Sequence, residues 1–288
     1  MPISRSFRLP KPTDSDLPSR RRLLAWSTLG AATLASAALA GCSDSSGSKN
    51  AAPQPSDGPN DSFSPAAPED PSAAAGLPSP TASSTVAART KPVYKVHDLL
   101  PNAPTDAIAL TIDDGPSPVY TPQMLALLRK YDIRATFSVV GSQAHANKAL
   151  IKAIAADGHT IANHTMSHPQ PFSKRSDAQI QAQLADAQSV IVDAGAPAPT
   201  LFRSPGGDWS PAVFAAAAKY GMVPIDWDVD PRDWSRPGVP HITEKLMAAH
   251  PGDVLLCHDG GGDRSQTLEA LKSVLPALKS KGLTFVTL

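Results

Sequence analysis

Two rhythms of apolar and polar residues alternate between residues 92 and 288. Short runs of apolar and β-branched residues at 107–112, 135–140, 159–162, 200–202, 222–227, 253–257 and 283–287 predict buried strands. The segments between them, 121–130, 148–157, 177–194, 211–220, 242–249 and 266–281, predict helices, and Pro122 marks the first turn of one. Repeated strand-then-helix order predicts parallel strands with helices outside them, an α/β fold. In such folds the chemistry collects where strands end.

The pattern differs before residue 92. Of the 49 positions from 43 to 91, 32 are Ser, Pro, Ala or Gly, and the large apolar ones are Phe63, Leu77 and Val86. Such a composition buries too little surface to offset the entropy of ordering, so 43–91 reads as a linker. As a random coil it spans roughly 40 Å root-mean-square. Ahead of it, "SRRRLLA" (19–25) resembles a twin-arginine export motif and precedes an apolar stretch rich in small residues. By length alone that stretch would suit a transmembrane helix. Its end, Leu39-Ala40-Gly41-Cys42, instead resembles a lipobox, in which the signal is cut before Cys42 and the thiol is lipidated. The expectation is an exported protein, held by lipid on the outer face of the cytoplasmic membrane or secreted.

Charge and cysteine content narrow the picture further. Residues 1–41 hold six of the 26 basic and two of the 26 acidic residues, so the remainder carries a balance of −4. That argues against nucleic acid as a partner. Without Cys42, Cys257 is the one thiol left and no internal disulfide can form. Cys257 lies in an apolar run and reads as a small core residue.

The chemistry-bearing residues stand at predicted strand ends. "IALTIDDGPSP" closes a strand with Asp113 and Asp114. Neighbouring side chains within a strand point to opposite faces, so one of the pair would be pushed into the core. At a strand tip both can face one cleft, where two adjacent carboxylates call for a positive partner. "GHTIANHTMSHPQ" supplies His164 and His168 at i, i+4, expected on one face of a helical turn. Two imidazoles with a carboxylate form a three-ligand metal set that leaves positions open for water and substrate. Arg203 follows the next strand in "LFRSPGGDW". "IDWDVDPRDW" then packs four aspartates and two tryptophans into nine residues, and His258 closes a strand in "VLLCHDGGG". Taken singly, an arginine before a turn or an acidic loop is common; the ordered set is not.

The order resembles the polysaccharide deacetylase family (NodB-homology domain, carbohydrate esterase family 4). "TIDDGP", "HTMSH", "RSPGG", "DPRDW" and "LCH" are similar to that family's five motifs, in sequence, across 92–288. The resemblance implies a distorted, incomplete (β/α) barrel of about seven parallel strands with a surface groove. It also implies roles. Asp114, His164 and His168 would hold a divalent metal, zinc before cobalt or nickel. Asp113 would be the catalytic base, paired with and oriented by Arg203. His258 would be the general acid, oriented by Asp233. Trp234 and Leu256 would line an acetyl pocket, and the Gly206 N–H would help hold the oxyanion. Two departures stand out: Ile112 replaces an aromatic residue, and Gly206 stands where many members carry tyrosine, so an aromatic wall of the groove is lost.

The function so implied is metal-dependent removal of N-acetyl groups from N-acetylglucosamine-type glycans, peptidoglycan or chitin-like, by a monomer. Two alternatives stay open at this point: an O-acetyl (xylan) esterase with the same machinery, and a catalytically silent wall-binding lipoprotein.

Overall fold

The computed structural model describes residues 89–288. The predicted signal, Cys42 and the linker up to residue 88 lie outside the described residues. In chain order the elements are α1 (Val96–Leu99), β1 (Ala107–Asp113), α2 (Thr121–Lys130), β2 (Thr136–Val139), α3 (Gly141–Ala146), α4 (Lys148–Ala156), β3 (Thr160–Asn163) and α5 (Asp177–Asp193). They continue with β4 (Leu201–Phe202), α6 (Pro211–Lys219), β5 (Val223–Pro224), α7 (Val239–Met247), β6 (Val254–His258), α8 (Ser265–Ser280) and β7 (Thr284–Val286).

The strands form one sheet in the order β5-β4-β3-β2-β1-β6, with β7 also on β1, and every pairing is parallel. β1 is its hub. Ala107–Ala109 pair with β7, Thr111–Asp113 with β2, and Ala109–Asp113 with β6. The sheet curls without closing. Between β5 and β6 it is completed, among the described residues, by single bridges: Val93 to Ile225, Lys95 to Asp253 and Val229 to Leu255. This is the incomplete barrel that the motifs imply.

Alternation along β1 divides the core and places the chemistry. Ile108, Leu110 and Ile112 face the helices and join the large cluster that includes Met124, Leu128, Leu271 and Leu275. Each such side chain contributes about 1.5–3 kcal/mol by leaving water. Ala107 and Ala109 face the barrel interior with Ala162, Leu201, Ile225 and Val254. Thr111 and Asp113 continue that inner face, so the period of two alone puts Asp113 inside the barrel mouth. Ile112, buried among aliphatic side chains, packs where an aromatic residue was expected.

The structure departs from the sequence reading in a few places. β5 is two residues long rather than six; beyond it the Ile225 amide still donates to the Phe202 carbonyl at 2.9 Å and Ile225 bridges Val93, and the chain then runs as a loop into the site. The short helices α1 and α3 were not foreseen. α8 runs through Pro276, and the Lys272 carbonyl that this proline leaves free accepts a hydrogen bond from Tyr131 Oη at 3.1 Å. Cys257 is a buried free thiol, as expected.

Candidate active site

The C-terminal ends of β1, β3, β4 and β6 converge on a cavity of about 360 Å³. It is lined by Asp113, Asp114, His164, His168, Gln170, Gly206, Trp227, Asp230, Trp234, Leu256 and His258. A larger cavity, about 620 Å³, lies between α2 and α8 and holds none of these groups. The site therefore follows the chemistry and not the larger void.

Asp113 and Asp114 escape the strand alternation by a backbone device. Asp113 ends β1 pointing inward, while Asp114 has φ 73, a left-handed turn that swings its carboxylate back toward the same cavity. The loop after β6 holds this turn in place. The Asp259 amide donates to the Asp113 carbonyl at 3.1 Å, and Gly260 packs so closely that a Cβ there would overlap the Asp114 carbonyl oxygen.

Arg203 is the positive partner. It is fully buried, and its Nη1 donates to Asp113 Oδ1 and to Thr111 Oγ1, both at 2.8 Å. Its Nη2 donates to the Asp226 carbonyl at 2.9 Å, and the guanidinium lies 5.6 Å from the centre of the Trp227 ring. Thr111 shares the face of Asp113 two positions earlier, a signal present in the strand period but unused in the sequence reading.

The two histidines do not lie on a helical turn, which corrects that expectation. Residues 164–168 form a loop in which Thr165 and His168 take positive φ, 67 and 53. Side chains capture the amides that a helix would use. Asn163 Oδ1 accepts from Thr165 N at 2.9 Å, its Nδ2 donates to the Leu184 carbonyl at 2.9 Å, and Thr165 Oγ1 accepts from His168 N at 3.0 Å. The imidazoles nonetheless meet. His164 Nδ1 donates to the Arg203 carbonyl at 2.8 Å, which leaves Nε2 as the free lone pair, 3.6 Å from Asp114 Oδ1. His168 Nε2 is 3.4 Å from the same oxygen. One ligand atom from each of Asp114, His164 and His168 lies within 4.8 Å of the others, a donor set that fits a divalent metal. Burial opposes ionisation of Asp114, but the hydrogen bond and field of His164, with His258 and His168, hold its carboxyl well below the usual range.

His258 faces the cavity from the end of β6. Its Nδ1 donates to Asp233 Oδ1 at 2.7 Å, while Asp233 Oδ2 accepts from the His258 amide at 2.9 Å and Thr267 Oγ1 at 2.8 Å. Burial disfavours the charged imidazole. The bond to Asp233 and the fields of Asp233, Asp113 and Asp114 outweigh it and raise the His258 pKa. Gly206 sits at the rim with φ 63, and a Cβ there would meet Gln170 Nε2 at 3.0 Å. The structure thus brings together Asp113, Asp114, His164, His168, Arg203, Gly206, Asp233, Trp234, Leu256 and His258. It adds Gln170, Trp227 and Asp230, which the sequence reading did not assign to the site.

Asp259, next to His258, is a further buried acid. It is fully enclosed, with Oδ2 bonded to Thr121 Oγ1 at 2.5 Å and no hydrogen-bond partner for Oδ1 among the described residues. Burial first, then the fields of Asp114 and Asp113, push its pKa up to about 7 against the pull of Thr121.

Comparison with known proteins shows the family. The polysaccharide deacetylase family model matches residues 101–225. A peptidoglycan-N-acetylglucosamine deacetylase of Bacillus cereus is 45% identical over 183 residues, covering 62% of this chain and 85% of the relative. The chain belongs to the polysaccharide deacetylase family. This deacetylase is accordingly a hydrolase. It is also 40% identical over 191 residues to a chitooligosaccharide deacetylase of Bradyrhizobium sp., across 62% of the chain and 87% of the relative. Among solved structures it resembles a mutant with restored enzymatic activity of a carbohydrate esterase family 4 pseudoenzyme from Bacillus anthracis. That match has a TM-score of 0.63 and 31% identity, and covers 69% of this chain and 70% of the other.

Proposed function

We propose that this deacetylase hydrolyses N-acetyl groups of N-acetylglucosamine-type glycans, of the peptidoglycan or chitin kind, with the help of a divalent metal, zinc first. The observation that carries the reading is the convergence of Asp114, His164 and His168 within 4.8 Å beside Asp113 and His258 on one cavity. In this reading Asp114, His164 and His168 hold the metal, which when bound supplies Lewis acidity to a water and to the acetamide carbonyl.

The protein's own residues then move the protons. Asp113, oriented by Arg203, takes a proton from the attacking water as its oxygen bonds to the carbonyl carbon. The developing oxyanion is met by the N–H of Gly206. His258, oriented by Asp233, gives the proton on Nε2 to the amide nitrogen, the carbon–nitrogen bond breaks, and acetate and the free amine leave. Trp234 and Leu256 enclose the acetyl methyl group. The relatives' names, one acting on peptidoglycan and one on chitooligosaccharide, support the substrate class.

For the alternative of a silent wall-binding protein, the silence alone has a precedent, in the pseudoenzyme of the same fold. The full set of base, acid, both orienting partners and three donors supports the enzyme instead. Acetate release by the purified protein from chitooligosaccharide and peptidoglycan, abolished by a chelator and restored by zinc, is the expected result. Release from acetylated xylan alone would favour the esterase.

The proposal extends to location: residues 1–42 as signal, 43–91 as tether and 92–288 as catalytic domain, anchored by lipid on Cys42. Cys42→Ser is expected to move the protein from the membrane fraction to the soluble one. A lipid chain holds by about 0.8 kcal/mol per buried CH₂, and the tether offers no substitute. Retention of the cleaved variant on membranes would refute the anchor.

A further inference from the structure

The loop from Asp230 to Arg236 contains a charged group that the reaction does not use. Asp230 lines the cavity, and its Oδ1 accepts from the Arg232 amide at 2.7 Å. That bond pins Arg232 in a left-handed conformation, φ 52 and ψ 37, which a residue with a side chain rarely adopts. The exposed guanidinium sits 5.2 Å from the centre of the Trp234 ring. Trp234 is itself 47% exposed while lining the cavity, so one indole joins the reacting pocket to the cation.

The neighbouring cations are all committed. Arg236 Nη2 pairs with Asp263 Oδ2 at 2.8 Å, and Asp263 also accepts from Tyr120 Oη at 2.9 Å. Buried Arg264 donates to the Gly260 carbonyl at 2.6 Å and to the Trp234 carbonyl at 3.2 Å, which holds the tryptophan's backbone still. Arg232 alone of the three has neither an ion pair nor a side-chain hydrogen bond among the described residues. It is a pre-oriented positive charge at the lip of a cavity lined by the carboxylates of Asp113, Asp114 and Asp230.

We infer that Arg232 is a specificity-determining residue that selects glycans in which the sugar adjoining the one being deacetylated carries a carboxylate. This rests on the deacetylase reading above. The charge distribution decides where the anion goes. The cavity is lined with carboxylates and takes the neutral acetamido sugar. The lip is cationic and aromatic, and takes a pyranose ring on Trp234 with its acidic substituent against the guanidinium.

The test compares acetate release from three tetrasaccharides. One is the neutral tetramer of N-acetylglucosamine. The second alternates N-acetylglucosamine with a sugar bearing an ether-linked lactate, and the third is its methyl ester, close in shape but uncharged. Wild type is expected to prefer the acid over the ester by about fivefold in kcat/KM, carried by KM, the most that an exposed ion pair supplies. The preference shrinks as salt is raised. Arg232→Gln is expected to bring the acid-to-ester ratio to about 1, and Arg232→Lys to retain most of it, since exposed charge is what acts. A wild-type ratio near 1, an unchanged ratio in Arg232→Gln, or a lysine variant no better than glutamine would overturn the inference while leaving the deacetylase reading intact. Failure to release acetate from any of the three would overturn both.

Discussion

Replacing Arg203 with methionine tests the electrostatic centre of the site. The guanidinium is fully buried and Asp113 is 2% exposed, so water cannot take over when the cation is lost. Methionine keeps much of the volume, which limits the cavity contribution. The substitution leaves the Asp113 carboxylate without its ion-pair partner and removes the donors to Thr111 Oγ1 and the Asp226 carbonyl. Breaking a buried pair from one side costs about 3–5 kcal/mol, because an uncompensated charge stays behind. The expected loss in urea unfolding of the chelated protein is therefore about 4 kcal/mol, a large part of the total stability of a domain. Adding Asp113→Asn removes the stranded charge. The double variant is thus expected to regain about half of the loss, a coupling of about 2 kcal/mol. If Arg203→Met costs under about 1 kcal/mol, or if the two substitutions simply add, the pair is not the buried electrostatic unit described above.

Three further outcomes are expected. Asp113→Asn leaves the three metal donors untouched, so zinc binds as in wild type while kcat falls by roughly 10²–10⁴; loss of zinc would make Asp113 a ligand. Asp233→Asn removes the bond and charge that raise the His258 pKa, so the alkaline limb of kcat/KM, where the acid loses its proton, moves to lower pH; an unmoved limb would remove His258 as the acid. Asp259 has its pKa raised from 3.8 to about 7, so the folded state holds a proton that the unfolded chain has already released between those values. Stability of the chelated protein falls as pH rises through that window, by up to about 4 kcal/mol. Asp259→Asn is expected to flatten that slope in denaturation measured from pH 4 to 8, and a slope that persists would show that the proton is held elsewhere.

Much of the site is legible in the chain because its residues sit at strand ends, where local pattern and chemistry coincide. The apolar run before Asp113, the alternation that turns Asp113 inward and the ordered Asp, His, Arg and His stations are local facts. So is the succession of strand and helix that makes the sheet parallel, and the Ser/Pro/Ala/Gly-rich composition that sets 43–91 apart from the rest. The positions of Thr111 and Asp113 on one face follow from the period of two alone.

Other features exist only once the barrel has curled. The helical turn expected for His164 and His168 fails because Asn163, held by the Leu184 carbonyl of α5, bonds the Thr165 amide and the Thr165 hydroxyl bonds the His168 amide, and α5 is distant in sequence. Thr267 reaches Asp233 across 34 residues, and nothing in the chain around it marks that partnership. β5 stops at Pro224, so Trp227 and Asp230 are free to turn into the cavity. Asp259 becomes an unusual acid only when the β1 and β6 loops close over it. Sequence period determines which face a side chain takes, because that depends on neighbours along the backbone. Burial, pairing and pKa depend on neighbours brought from elsewhere, and only the folded barrel supplies them.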